Sequence, residues 1–228
     1  MPKIPELVCP AGNLPALKTA IDNGADTVYM GLKDATNARN FPGLNFDMKS
    51  TAEGVAYAHA RGKHILMAIN TYAQAGQVAQ WKKAVDTAAD LGADAIIVAD
   101  PAMMAYACEK HPNLRLHMSV QGSATNYEAI NLMKDLFGIR RVVLPRVLTI
   151  DQVLHVIENT DVEGEGCGFG SLCVMVEGRC ILSSYATGES PNMQGVCSPA
   201  KSVRWEQLPD KMNVRLNKVM IDQFNKDE

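Results

Sequence analysis

The sequence predicts an α/β fold, namely an incomplete (β/α) barrel of the TIM type with a cysteine-bearing excursion at its C-terminal mouth. Three observations predict it. Short apolar runs rich in β-branched residues alternate with helical patterns along the first 160 residues. Polar side chains follow the apolar runs, at the end where barrel enzymes build their sites. Four of the six cysteines lie between residues 167 and 197.

The strands are predicted from apolar runs with little polar alternation, which are typical of parallel strands covered on both faces. Six runs qualify, at residues 7–10, 26–30, 64–70, 95–99, 116–120 and 141–145. Residues 162–170 are a poor seventh candidate because they contain four glycines, which weaken a strand. The sheet is therefore expected to have six strands and a weaker seventh.

Six helices are predicted between these strands, over residues 14–23, 48–61, 77–91, 102–110, 126–136 and 150–158. Trp81 and Val85 lie on one apolar stripe of the third helix. Thr125 and Thr149 are the predicted N-caps of the last two, and Pro101 fits the first turn of the fourth. Glycines stand where four helices should end, at Gly24, Gly62, Gly92 and Gly138.

A doubly wound sheet is the alternative fold, and the sequence disfavours it. Residues 9–13, after the first strand, do not form the glycine-rich dinucleotide fingerprint of that fold. The strand–helix pattern breaks after Thr160, so about six and a half barrel units are visible instead of eight.

We expect residues 1–160 to form barrel units. Residues 161–228 should form a cysteine-rich cluster-binding segment of the same domain, with one surface strand or loop and an amphipathic stretch over 202–228.

Composition bounds the functions that the chain can have. It has 228 residues, 47% hydrophobic and 21% charged, with a net charge of −3, which suits one ordinary globular core. That charge offers no general attraction to phosphate, so a nucleic-acid partner is not expected. No apolar stretch approaches the ~20 residues of a membrane span, and no secretory leader is visible. We expect a cytoplasmic protein, in which cysteines serve as thiols or metal ligands.

Three cysteines have a setting typical of ligands, because a glycine lies within three residues before each of Cys173, Cys180 and Cys197. Glycine lets the backbone approach an inorganic group and direct amide N–H groups at it. The spacings, with six and sixteen intervening residues, are neither those of a zinc ribbon nor those of a bacterial ferredoxin. Spacing alone therefore leaves an iron–sulfur cluster, zinc, buried thiols and a reactive cysteine open.

A longer motif carries a family resemblance. Residues 165–183 read E-G-C-G-F-G-S-L-C-V-M-V-E-G-R-C-I-L-S. They resemble the signature of the collagenase-like peptidase family of unknown catalytic type, and every fixed position matches except a phenylalanine that is Cys167 here. Segments 8–18, 29–39, 119–126, 143–147 and 183–192 resemble the ubiquinone-biosynthesis (UbiU-type) branch of that family. The resemblance covers nearly the whole chain.

This resemblance implies a function in oxygen-independent hydroxylation of ubiquinone precursors, as a heterodimer with a homologous UbiV-type protein. It implies a [4Fe–4S] cluster, with Cys173, Cys180 and Cys197 as three of the four ligands. The fourth ligand would lie shortly beyond Glu228, and Cys167 is the candidate substitute within the chain. We expect Phe169, Leu172 and Ile181 to bury the cluster. Protease activity is not expected.

Sister members of the family hydroxylate an RNA base, with prephenate implicated as the source of the hydroxyl oxygen, and this is one alternative function. The other is a non-catalytic binding module clipped by a metal. Arginine forks bind carboxylates, so Arg146, after the sixth strand, and Arg179 are candidates for binding prephenate or a carboxylated aromatic precursor, together with Arg39. An ordinary ion pair is the alternative for Arg146. The polar pocket would be completed by Asn70, Gln121 and Asn126, and the catalytic residues stay unassigned.

Overall fold

The computed structural model describes residues 4–41, 43–170, 173, 177, 180–197, 203–208 and 211–216. Arg179 and Leu172, both named above as candidates, lie outside the described residues. Within the described part of the chain, no helix combines the length and the apolar composition that crossing a bilayer requires.

Seven parallel strands form one sheet whose order follows the chain, β1 to β7. They are β1 Val8–Pro10, β2 Thr27–Gly31, β3 His64–Ile69, β4 Ala95–Val98, β5 Arg115–Met118, β6 Arg141–Val143 and β7 Glu163–Glu165. In the described residues β1 pairs with β2 alone and β7 with β6 alone, so the barrel is open between β7 and β1. The predicted incomplete (β/α) barrel is confirmed, including its weak seventh strand.

Six helices alternate with these strands and cover the outside of the sheet. They are α1 Leu14–Asp22, α2 Met48–His59, α3 Val78–Asp90, α4 Pro101–Lys110, α5 Tyr127–Phe137 and α6 Ile150–Glu158. Thr149 caps α6 as predicted, and its hydroxyl accepts from the N–H of Gln152 at 3.3 Å. The predicted cap of α5 is wrong by one residue. Asn126 is the N-cap there, because its side-chain carbonyl reaches the N–H of Ala129 at 2.8 Å.

The main core lies between the sheet and the helices, where Leu17, Ile65 and Ile96 are fully buried. Trp81 of α3 is also fully buried, and its indole N–H donates to the hydroxyl of Thr71 at 2.9 Å. That hydroxyl donates in turn to the carbonyl of Ala35 at 2.6 Å. The largest core side chain thereby supports the loops that follow β2 and β3, at the C-terminal mouth of the barrel.

The inside of the barrel is apolar on one side and charged on the other. Tyr29, Leu66, Ala95 and Ile97 pack together with Val8 on the apolar side. On the charged side, Arg141 of β6 binds Glu163 of β7 at 2.8 Å, Glu165 at 3.5 Å, and Glu6 just before β1. The open side of the barrel is therefore spanned from within by ion pairs.

His117 of β5 shares this interior face, since it pairs in register with Ile97 and Arg141. Its ring is buried, and neither nitrogen has a hydrogen-bond partner among the described residues. Burial, helped by the charges of Arg141 and Arg115, lowers the pKa of His117 from 6.5 to about 3. The folded protein therefore keeps this ring neutral where an unfolded chain would protonate it.

We expect this histidine to make folding sensitive to mild acid. Its folded pKa lies below its unfolded pKa, so its contribution is present above pH 6.5 and is lost as the pH falls toward 3. The loss reaches at most about 1.4 kcal/mol per pH unit. Urea unfolding between pH 7 and 5 should show a falling free energy of unfolding in the wild type and a flatter profile in His117→Phe. Exposed His155, changed to Phe, is the control, and equal slopes in all three proteins would contradict the assignment.

After β7 the described chain forms two short helices, α7 Ile181–Thr187 and α8 Pro191–Gln194. Two antiparallel strands follow, β8 Val203–Leu208 and β9 Lys211–Leu216. The prediction of one strand or loop over 202–228 missed the second strand. The sequence pattern could have predicted this second strand, because Met212 and Val214 alternate with polar residues in the same way as Val203 and Trp205.

Candidate cluster site at the barrel mouth

The segment that carries α8 lies across the mouth of the barrel and is held there by main-chain contacts. The carbonyl of Asn192 accepts from the N–H of Tyr72 at 2.7 Å, and that of Gly195 accepts from the N–H of Asn40 at 3.1 Å. The side-chain amide of Gln74 donates to the carbonyl of Met193 at 2.8 Å. All three acceptors in this segment are main-chain carbonyls, so the contacts fix the course of its backbone. The last of them, at Gly195, lies two residues before Cys197.

Gly195 makes the closest of these approaches. Its φ of 74° lies in the left-handed region, and a Cβ atom there would stand 2.3 Å from the carbonyl oxygen of Asn37. Only glycine fits both the conformation and the space. The sequence had placed this glycine near a cysteine, and the structure shows that it lets the loop of Cys197 lie against the loop after β2.

Cys180 is buried at the start of α7, where it is the N-cap residue. Its sulfur accepts a hydrogen bond from the N–H of Ser183 at 3.3 Å. This contact fixes the position of the Cys180 sulfur at the start of the helix. The Ser183 hydroxyl is also buried and has no partner among the described residues.

Cys197 is half-buried and lies in the same electrostatic neighbourhood as Cys173 and Cys180. Burial raises the pKa of the Cys197 thiol, and the charges of the other two cysteines raise it further. The guanidinium of Arg39 acts in the opposite direction, through its charge and a hydrogen bond to the thiol. Cys173 is exposed. The role of the three cysteines as ligands stays a prediction.

Among the described residues, no three His, Cys, Asp or Glu side chains form a group that could hold a single metal ion. Thiolates are the usual protein ligands of iron–sulfur clusters and also bind zinc. The cluster therefore stays a prediction.

Cys167 lies beyond the end of β7 and is exposed. Its charge acts on Tyr29 of β2, whose pKa is raised first by burial and then by Glu165 and Cys167, against the lowering effect of Arg39 and Arg146. The role of Cys167 as the fourth ligand stays a prediction. The expected apolar cover is wrong for Phe169 and Ile181, which are exposed because none of the described elements packs over them.

Arg146 is paired with an acid that sequence reasoning missed. One carboxylate oxygen of Glu177 accepts from the main-chain N–H of Arg146 at 2.8 Å and from its side-chain Nε at 3.2 Å. Glu177 is almost completely buried, although glutamate rarely is unless it is paired. Arg146 therefore forms an ordinary ion pair, which was the alternative to a role in binding a carboxylated ligand. The sequence could have singled out Glu177, because it lies between two of the predicted cluster ligands, Cys173 and Cys180.

Asn70 and Gln121 are both buried at the mouth but differ in what their side chains do. Asn70 accepts from the N–H of Ala38 at 2.9 Å and donates to the hydroxyl of Ser119 at 3.4 Å, which holds the loop after β2. The side-chain oxygen of Gln121 has no partner among the described residues. Gln121 therefore presents a buried acceptor at the mouth, and substrate contact by either residue stays a prediction.

Comparison with known proteins identifies the family. A model of peptidase family U32 matches residues 12–224. The chain belongs to peptidase family U32. The family resemblance noted in the sequence is thereby confirmed.

Two relatives illustrate the range of U32 proteins. An uncharacterized protease of Methanocaldococcus jannaschii, MJ0090, is 37% identical over 208 residues, which are 89% of this chain and 49% of the relative. The tRNA hydroxylation protein P1 of Bacillus subtilis is 34% identical over 204 residues, 90% of this chain and 47% of the relative. The chain spans about half the length of the curated relatives it matches.

The solved structure of the U32 peptidase Mk0906 has the same fold. It superposes with a TM-score of 0.61 and 16% identity, covering 73% of this chain and 69% of that one. At that identity the likeness concerns the fold alone.

Proposed function

We propose that this U32 protein supports oxygen-independent hydroxylation and holds a [4Fe–4S] cluster with Cys173, Cys180 and Cys197. The observation that carries the proposal is the position of the cysteine-bearing segment, in which Cys180 is buried at the start of α7 and the loop of Cys197 lies against the loop after β2 through Gly195. When bound, the cluster would supply one-electron chemistry. The N–H of Ser183 holds the Cys180 sulfur, and Arg39 lies beside Cys197.

The proposed substrate is an aromatic precursor of ubiquinone, hydroxylated by the chain together with a homologous UbiV-type partner in the cytoplasm. Support comes from the segments that resemble the UbiU-type branch. Arg39 and Arg146 carry positive charges near the mouth, and both oppose the rise that burial causes in the pKa of Tyr29. Because Arg146 is already paired with Glu177, Arg39 is the arginine better placed to bind a carboxylated small molecule such as prephenate, with the buried side-chain oxygen of Gln121 as an acceptor.

Hydroxylation of an RNA base is the second candidate, and one observation favours it. A relative that is 34% identical over 90% of this chain is named as a tRNA hydroxylation protein. A net charge of −3 counts against a large contact with phosphate, because RNA-binding surfaces concentrate positive charge.

We expect protein purified without oxygen to be brown, with broad absorption near ~400 nm and matching iron and sulfide contents. Cys173→Ser, Cys180→Ser and Cys197→Ser should each lose most of that iron. Cys108→Ser, which changes an exposed cysteine on α4, is the control and should keep it. Cys167→Ala reports on the fourth position, since unchanged iron rules it out as a ligand. A colourless wild-type protein without iron would contradict the proposal.

The substrate is tested by coexpressing the chain with a UbiV-type partner in anaerobic cells that lack their own ring hydroxylation. Mass spectrometry of quinone precursors and of RNA nucleosides, from the same cultures, should show one added oxygen atom in the quinone precursors alone. Oxygen added only to a nucleoside would support the second candidate. A wild-type pattern from Cys180→Ser would show that hydroxylation does not depend on the cluster site.

A further inference from the structure

We propose that the hydroxyl of Ser183 donates a hydrogen bond to a sulfur of the cluster held at Cys180, and thereby makes that cluster easier to reduce. The inference rests on the proposed function, because it needs a cluster at the cysteines. Ser183 acts through the sulfur that it bonds, so it is a positioning residue. The observation behind it is a fully buried hydroxyl without a partner, next to a buried cysteine.

The hydroxyl of Ser183 is buried without a hydrogen bond. The residue is 0% exposed, and its side-chain oxygen has no partner among the described residues. An unpaired buried hydroxyl is costly, so such groups in folded proteins are bonded to protein, to ordered water or to a ligand. The Ser183 hydroxyl therefore requires an acceptor that the described part of the chain does not supply.

The usual local acceptor is not used by this serine. Serine and threonine in a helix commonly donate to the main-chain carbonyl three or four residues earlier. Thr187 of α7 does so, since its hydroxyl donates to the carbonyl of Ser183 at 2.7 Å. The carbonyl of Cys180, three residues before Ser183, accepts from the N–H of Ser184 at 3.1 Å. The Ser183 hydroxyl is thus left for an acceptor outside the helix.

The main chain of the same serine is fixed beside the sulfur of Cys180. The N–H of Ser183 donates to that sulfur at 3.3 Å, and both residues are buried. Within one serine, bond lengths keep the hydroxyl oxygen within about 4 Å of the amide nitrogen, so this oxygen lies at most roughly 7 Å from the Cys180 sulfur. A cluster bound through Cys180 would bring further sulfur atoms into this neighbourhood, and those atoms accept hydrogen bonds.

A hydrogen bond to sulfur has a defined effect on an iron–sulfur cluster. Hydrogen bonds to the sulfurs are among the factors that set its reduction potential. Reduction adds negative charge, and a donor bonds more strongly to a more negative acceptor. The hydroxyl of Ser183 would therefore stabilise the reduced form more than the oxidised form, and its removal should make the cluster harder to reduce.

The test compares Ser183→Ala with Ser184→Ala in the full 228-residue chain, purified without oxygen. Ser184 is the matched control, because it is the same residue type at the next position of α7 but is exposed. Redox titration followed by absorbance should show that Ser183→Ala lowers the equilibrium constant for reduction roughly tenfold, which is about 59 mV for one electron. The control should keep the wild-type potential.

A second measurement distinguishes this role from one in packing. After iron is removed with a chelator, Ser183→Ala should unfold at the wild-type temperature or above it, because the substitution removes a buried hydroxyl that has no partner. A clearly lower unfolding temperature would overturn the inference, since the hydroxyl would then bond to the protein itself.

The remaining outcomes separate this inference from the proposed function. An equal potential in the two variants, with the cluster present, would overturn the inference alone, and a bound water would then be the partner of the hydroxyl. A Ser183→Ala protein that binds no iron beside a loaded control would overturn it too, because one hydrogen bond to sulfur adjusts a cluster but does not hold it. A wild-type protein without iron would overturn both proposals.

Discussion

Gly195→Ala should remove most of the iron from protein prepared without oxygen, while leaving the barrel folded. The added Cβ would meet the carbonyl oxygen of Asn37 at 2.3 Å, and this oxygen belongs to the main chain and cannot rotate away. The loop must therefore lift from the barrel mouth, and Cys197, two residues later, must move with it. Iron and sulfide assays measure the loss, and circular dichroism verifies the fold.

Gly188→Ala is the control for this experiment. Gly188 has a φ of 71°, close to the 74° of Gly195, but nothing lies within 4 Å of its Cβ position. Both variants carry the strain of a left-handed alanine, about 1–2 kcal/mol, and only one carries the clash. We expect the control to lose some stability and keep its iron. Equal iron in the two variants would show that the close approach at Gly195 does not position Cys197.

Glu177→Ala should lower the midpoint of thermal unfolding more than any other single change at the mouth considered above. Among the described residues, one oxygen of Glu177 accepts from both the main-chain N–H and the Nε of Arg146, and the substitution removes it. The largely buried guanidinium of Arg146 is then left without a paired carboxylate. Breaking a buried pair in this way costs about 3–5 kcal/mol. For a chain of this size the midpoint should fall by roughly 6–15 °C, measured by calorimetry.

Glu177→Gln separates the role of charge from that of shape. The glutamine loses the negative charge but keeps an oxygen for the main-chain N–H of Arg146, so the free energy of unfolding should fall by less than in Glu177→Ala, by about 1–3 kcal/mol. Nearly equal losses in the two variants would mean that the charge of Glu177 stabilises the mouth. No loss in either would mean that the pair contributes nothing net, as replacement studies of some buried ion pairs have found.

The fold could be predicted because its signals are local. Each strand is a short β-branched run, and α6 was placed at its observed bounds since Thr149 and the apolar period both mark it. The contacts at the mouth could not be predicted, because they join residues far apart in sequence. The approach of Gly195 to Asn37 and the pairing of Glu177 with Arg146 depend on how the segment after β7 returns across the barrel.

In the candidate site, too, residues with a local sequence signal could be predicted, whereas contacts between distant residues could not. Cys173, Cys180 and Cys197 were identified from their glycine settings and from a family motif, and their role as ligands stays a prediction. Arg39 was named only as a carboxylate-binding candidate, and its contact with Cys197 was not foreseen. Nothing in the sequence distinguishes an arginine that binds a thiol from one that binds a ligand, because the same donors serve both.

The contact between Glu6 and Arg141 bears on the order in which the chain assembles. Every pairing in the seven-stranded sheet joins consecutive units, so the sheet can grow by adding one unit at a time, as a repeat protein does. The Glu6–Arg141 contact instead joins residues 135 positions apart. It can form only after β6 is in place, which makes it a late event in folding and a latch between the start of the first unit and the sixth strand. Burial opposes ionisation of Glu6, yet Arg141 holds its pKa below the usual range, so acid would open this latch and leave the individual units intact.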